Sequence, residues 1–124
     1  MKRVLFVHEQ TGQLPLYVAK LRLIRPQEDV ALEQVATPGE AVALATEGWD
    51  LIIWMNWAKG VGQAIAEVRQ IYTGPMLAAS SIAPYREEMV RAGCSHNLDS
   101  DMKLEGPDMK LEVPAKILEI LELK

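Results

Sequence analysis

The chain of 124 residues is long enough for one domain whose hydrophobic core needs neither metals nor disulfides. Its net charge of -4 argues against a nucleic-acid backbone as a partner of this chain alone, because such a partner requires a basic face. The single cysteine, Cys94, excludes an internal disulfide and favours a cytoplasmic location, and the first apolar run, residues 4–7, is too short for a signal peptide or a membrane span.

Short apolar runs alternate along the chain with segments of helical periodicity. In chain order, the predicted strands are residues 4–7, 29–36, 49–57, 76–79 and 94–98. The helices predicted after each strand cover residues 14–25, 38–48, 61–72, 83–92 and 114–123. Proline and glycine mark several of their ends, as at Pro26 and Gly93. The first helix is expected to turn an apolar face to the core, formed by Leu14, Val18, Leu21 and Ile24.

Five strands alternating with five helices predict an α/β fold, specifically a flavodoxin-like three-layer sandwich. Its parallel five-stranded sheet is expected in the order 2-1-3-4-5. The segment 49–57 is the most apolar of the strands and should lie at the centre. Function is then expected beyond the carboxyl end of that strand, at Met55, Asn56 and Trp57, none of which carries a carboxylate.

One segment interrupts the regular alternation. Residues 101–107 are repeated almost letter for letter as residues 108–114, immediately before the last helix. We interpret residues 101–114 as a duplicated loop insertion, or a helix extended by two turns, within a single receiver-like domain over residues 1–124. The alternative is that the repeated Met-Lys-Leu-Glu presents an amphipathic patch to a partner.

The sequence resembles a known family from Arg3 to about Asp99 and again in the last helix, and three stretches carry the resemblance. Residues 33–53 match the second helix and third strand of the receiver domain, the phosphoaccepting module of bacterial two-component response regulators. Residues 74–81 and 91–94 resemble its fourth strand and the end of its fourth helix. The resemblance implies the same flavodoxin-like fold and a role in phosphorelay signal transduction.

The family's phosphorylation residues are mostly replaced here. The resemblance places its metal-binding acidic pair at His8 and Glu9, its phosphoacceptor aspartate at Met55, its hydroxyl at Ser80 and its lysine at Ser100. Only Glu9 and Ser80 keep the family chemistry. A thioether such as that of Met55 cannot accept a phosphoryl group in this way and is a poor ligand for Mg²⁺.

These replacements predict a degenerate receiver that lacks the phosphoacceptor aspartate and is not an enzyme. No catalytic residue, cofactor or metal ligand is expected, and its signalling would be independent of phosphorylation. The family's aromatic switch position falls on Asn97, so the vestigial pocket is expected to be closed rather than switchable, with mobility in residues 101–112. That pocket comprises His8, Glu9, Met55, Trp57, Ser80 and Ser100.

The resemblance also implies how such a module acts. Receivers commonly contact a protein partner, or a second copy of themselves, through the fourth helix, the fifth strand and the last helix. The same face is expected here, with no membrane as a partner.

Several alternatives remain open from sequence. Trp54, Met55 and Trp57 could line an apolar pocket for a small molecule instead of filling the vestigial site.

His8 and Glu9 could form an acid–base pair, although adjacent side chains on an extended segment point to opposite sides. Residues 11–13 resemble the phosphate loop of an FMN-binding flavodoxin, but this loop is poor in hydroxyls. Ser80 and Ser81 could be a relic of the site or a cap for the helix after Pro84, and Cys94 is expected to be a small buried hydrophobe.

Overall fold

The computed structural model describes residues 1–9, 14–27, 29–55, 61–80, 82–98 and 112–122. The strands are β1 (Lys2–Val7), β2 (Val30–Val35), β3 (Leu51–Met55), β4 (Met76–Ala79) and β5 (His96–Leu98). The helices are α1 (Leu14–Ile24), α2 (Pro38–Leu44), α3 (Val61–Ile71), α4 (Ala83–Ala92) and α5 (Glu112–Ile120). In the described part of the chain, no helix is long and apolar enough to cross a membrane.

All strand pairs are parallel, and the sheet order is β2-β1-β3-β4-β5. This confirms the fold predicted from the sequence. The central strand β3 is buried along its whole length because helices cover both faces of the sheet. Ile52 and Trp54 of β3 belong to the core under α2, α3 and α4, whereas Ile53 and Met55 belong to the core under α1 and α5.

The last helix begins earlier than the sequence predicted. α5 starts at Glu112, so residues 112–114 of the predicted loop insertion belong to the helix. Pro114 is accommodated because it lies in the first turn, where backbone N-H groups have no partner within the helix. Residues 101–111, which hold the rest of the repeat, lie outside the described residues.

The second helix ends earlier than predicted. α2 stops at Leu44, and the chain turns before Gly48, whose φ of 83° is the left-handed conformation that favours glycine. The indole Nε1 of Trp49 donates a hydrogen bond to the Leu44 carbonyl at 2.7 Å. The same carbonyl accepts from the Glu47 N-H at 3.0 Å, so both bonds hold the turn that follows the helix.

The buried face of α1 differs from the predicted one. Tyr17, Lys20 and Leu21 are buried, whereas Val18 is only half-buried and Ile24 is 39% exposed. Lys20 is 2% exposed, and among the described residues its Nζ is the one buried side-chain nitrogen or oxygen with no hydrogen-bond partner. An ammonium group removed from water without an acceptor is destabilising.

We expect Lys20→Met to raise the free energy of unfolding by about 1–3 kcal/mol, because methionine keeps the length of the side chain and removes the unpaired ammonium group. Chemical denaturation measures this change. Lys116→Met is a matched control, since Lys116 forms only a 3.3 Å surface pair with Glu119. If Lys20→Met destabilises the fold more than the control does, the ammonium group has an acceptor in solution.

Candidate functional site

The candidate site lies at the carboxyl edge of the sheet. In the parallel register, Val7 of β1 lies beside Trp54 of β3, and Met55 lies beside Ala79 of β4. His8 and Ser80 directly follow β1 and β4, so both flank the end of β3 where Met55 stands. The structure therefore brings His8, Met55 and Ser80 to one edge, which is where the resemblance to receiver domains places them.

Met55 is part of the hydrophobic core. Its side chain is 1% exposed and belongs to the apolar cluster that contains Phe6, Tyr17 and Ala79. Burial of a side chain of this size stabilises the fold by about 1.5–3 kcal/mol. Burial also raises the pKa of the Tyr17 hydroxyl well above its usual value, so this group stays protonated at neutral pH. The position that the resemblance assigns to the phosphoacceptor thus holds an apolar side chain packed among others.

The neighbouring Trp54 points away from Met55. Its ring is fully buried in the core under α2, α3 and α4, where Nε1 donates to Met76 Sδ at 3.4 Å. Successive side chains of a strand project from opposite faces of the sheet. The idea that Trp54 and Met55 line or fill one pocket together is therefore wrong, and Trp57, its third predicted member, lies outside the described residues.

His8 continues the pairing of β1 beyond the end of the strand. Its backbone N-H donates to the Val35 carbonyl at 3.0 Å, and its own carbonyl accepts from Gln34 Nε2 at 2.9 Å. The His8 side chain is 5% exposed, whereas Glu9 is exposed. Adjacent residues on an extended segment point to opposite sides, so His8 is buried while Glu9 is exposed. This arrangement does not favour an acid–base pair.

Ser80 is fully buried, and its polar groups have partners within the fold. Its N-H donates to the Leu98 carbonyl at 3.2 Å, which prolongs the pairing of β4 with β5. Its hydroxyl accepts from the N-H of Ile82, the residue that precedes α4, at 3.1 Å. The serine thus stabilises the entry to α4, although it is not itself the helix cap.

The donor atoms at this edge do not fit Mg²⁺, the metal that the resemblance implies. Mg²⁺ prefers hard oxygen ligands and is usually held by carboxylates. Of the pocket positions that the structure describes, only Glu9 carries a carboxylate, and the Ser80 hydroxyl already accepts a hydrogen bond. Within the described ranges, no three His, Cys, Asp or Glu side chains are grouped so that they could hold a metal ion.

Some predicted positions stand apart from this edge. Asn97, at the switch position, is exposed on β5, and Ser100 lies outside the described residues. The flavodoxin-like residues 11–13 also lie outside them. Cys94 is buried as predicted, and burial raises the pKa of its thiol to about 12, with Arg69 lowering it in part. A thiol that stays protonated at neutral pH is a weak nucleophile.

No pattern in the sequence indicates Arg86, which the structure brings to the same edge. Its Nη1 donates to the Ser80 carbonyl at 2.7 Å from the first half of α4. Arg86 also lines an open groove of about 410 Å³ between α4 and β5, together with Glu87, Val90, Arg91 and Asn97. An arginine six residues after a serine matches no motif, so only the tertiary contact reveals it.

Comparisons with known proteins support the fold. No family model and no curated protein matches the chain. A CheY-like response regulator receiver domain protein from Methanospirillum hungatei JF-1 is 20% identical, with a TM-score of 0.72 over 98% of this chain and 94% of that chain. The response regulator domain of Thermotoga maritima CheB is 18% identical, with a TM-score of 0.72 over 98% and 94%.

A third solved structure agrees with these two. An orphan response regulator of H. pylori is 12% identical, with a TM-score of 0.70, and the match covers 97% of this chain and 96% of that chain. The chain therefore has the receiver-domain fold of two-component response regulators. Identities this low establish the fold, and the chemistry has to be derived from the residues at the site.

Proposed function

We propose that the chain is a degenerate receiver, a signalling or regulatory module that does not take part in phosphotransfer and is not an enzyme. The observation that carries this proposal is Met55, which is 1% exposed in an apolar core at the position of the phosphoacceptor. A buried thioether supplies neither the nucleophile nor the metal ligand that phosphoryl transfer requires.

The surroundings of Met55 support the same proposal. A receiver that switches needs a charge at the end of its third strand to attract the hydroxyl that follows the fourth. Here the charge cannot be installed on Met55, and the Ser80 hydroxyl is engaged with Ile82. With Asn97 in place of an aromatic side chain, no large ring is available at that position to move inward. The module is thus a fixed domain that acts without phosphorylation.

We infer that this fixed domain acts by protein contacts through α4, β5 and α5. The groove between α4 and β5 carries Arg86 and Arg91, and Val90 of the same groove is 39% exposed. Arginine is enriched in protein interfaces, so a groove that places two arginines beside an exposed valine fits a protein contact. The partner is a second copy of the chain or another protein, in the cytoplasm. If light scattering shows only monomers at high concentration, the partner is not a second copy of the chain.

Amide hydrogen exchange tests the proposed function. Addition of Mg²⁺ and beryllofluoride, a phosphoryl mimic, should leave the exchange of His8, Met55 and Ser80 amides unchanged, because the site lacks the charges that would bind either. Sodium chloride at matched ionic strength is the control. Slower exchange at these amides with Mg²⁺ and beryllofluoride, but not with sodium chloride, would show that a switch survives.

A further inference from the structure

The first half of α4 has little apolar contact with the rest of the fold. Met89, in its second half, is the one fully buried residue of the helix. Ile82, the residue at the N-cap position, has an apolar side chain that cannot accept a hydrogen bond from the first turn, and it is 47% exposed. Apolar burial alone therefore does not fix where this helix begins.

Polar contacts to Ser80 supply what the apolar contacts do not. The Ser80 hydroxyl accepts from the Ile82 N-H at 3.1 Å, and the Ser80 carbonyl accepts from Arg86 Nη1 at 2.7 Å. The N-H groups of Tyr85 and Arg86 donate to the Ile82 carbonyl, each at 3.1 Å. The first turn of α4 is thus tied to Ser80 from two sides, and Ser80 in turn is bonded to Leu98 of β5.

The Arg86 bond is the strongest of these contacts. Hydrogen bonds from a charged donor are shorter and stronger than those between neutral groups. If this bond breaks, the carbonyl of the fully buried Ser80 loses its charged donor, and buried carbonyl groups are normally hydrogen-bonded. A shift of Ser80 toward the end of β3 would require the loss of this bond and of the Ile82 bond together.

We propose that Arg86 is a positioning residue that holds the connection between β4 and α4 in one arrangement. It thereby fixes the groove that it lines with Val90, Arg91 and Asn97. This inference rests on the proposed function, because a domain that does not switch needs its contact surface held in place.

Amide exchange in Arg86→Ala tests this role against Arg91→Ala as the matched control. Both variants remove one cation from the same groove, and Arg91 is an exposed residue of the last turn of α4. We expect the Ser80, Ile82 and Tyr85 amides of Arg86→Ala to exchange about tenfold faster than those of Arg91→Ala. Rates are taken relative to the amides of β1, which report global opening, so a general loss of stability does not mimic the effect.

Arg86→Lys separates the hydrogen bond from the charge. A lysine ammonium can donate to the Ser80 carbonyl as a point charge but lacks the planar fork, so we expect exchange between that of the native chain and that of Arg86→Ala. Equal relative exchange in Arg86→Ala and Arg91→Ala would overturn the role of Arg86. That result would not affect the proposal that the chain takes no part in phosphotransfer, which rests on Met55. Phosphorylation of the native chain, in contrast, would overturn the proposed function but not the role of Arg86.

Discussion

Replacing Met55 with aspartate should lower the free energy of unfolding by about 3–5 kcal/mol and should not create a phosphoaccepting site. The native thioether lies in the core with Phe6, Tyr17 and Ala79, so the variant loses this packing and places a carboxyl group among apolar side chains. The pKa of such a carboxyl group is raised by burial, which favours its neutral form.

Met55→Leu is the control for packing, since it keeps the volume and should cost less than about 1.5 kcal/mol. Urea denaturation gives the stability of each variant, and intact mass after incubation with acetyl phosphate and Mg²⁺ shows whether the aspartate is phosphorylated. The account is wrong about this position if Met55→Asp is as stable as Met55→Leu. Among the pocket positions, the new aspartate would have only Glu9 as a second carboxylate, which is too few to hold Mg²⁺ well. Phosphorylation of the aspartate variant would therefore also contradict the expected result.

Replacing Arg69 with alanine should lower the free energy of unfolding by about 2–4 kcal/mol, because several backbone carbonyls lose a charged donor. Arg69 Nε and Nη2 donate to the Gly93 carbonyl at 3.1 and 2.8 Å. Its Nη1 donates to the carbonyls of Tyr72 and Gly74 at 2.9 and 2.8 Å. One side chain thus joins the end of α3 to the start of β4 and to the end of α4.

Two variants control for this effect. Arg91→Ala removes an exposed arginine and should change stability by less than about 0.5 kcal/mol. Arg69→Lys keeps the charge but loses the planar fork, so it should recover only a minor part of the loss. Similar denaturation midpoints for Arg69→Ala and Arg91→Ala would show that these four bonds do not hold the helices in solution.

The fold was predictable because its signals are local. The apolar run of β3 and the glycine and proline residues at the helix ends are visible in the sequence, and they specify the alternation that leads to the sheet order. The end of α2 was not predictable, because it depends on the Trp49 indole reaching the Leu44 carbonyl. Lys20 was missed for the same kind of reason, since helical periodicity does not anticipate a buried ammonium group.

The candidate site was predictable only in part. The alignment of His8, Met55 and Ser80 follows from the resemblance, because parallel strands bring their carboxyl ends to one edge. Successive side chains of a strand point to opposite faces of the sheet, which separates Trp54 from Met55. The closeness of the aromatic residues in the sequence nevertheless suggested that they share one pocket. Arg86 contacts Ser80 only through the tertiary structure, so no pattern of residues could have indicated it.

A degenerate receiver of this kind should not accept a phosphoryl group. The most direct test is the intact mass of the native protein after incubation with acetyl phosphate and Mg²⁺, with an active receiver domain treated in parallel as the positive control. Because Met55 stands where the resemblance places the acceptor, and the donor set does not fit Mg²⁺, we predict an unchanged mass for this chain and a phosphoryl adduct on the control. A phosphoryl adduct on the native chain would contradict the account.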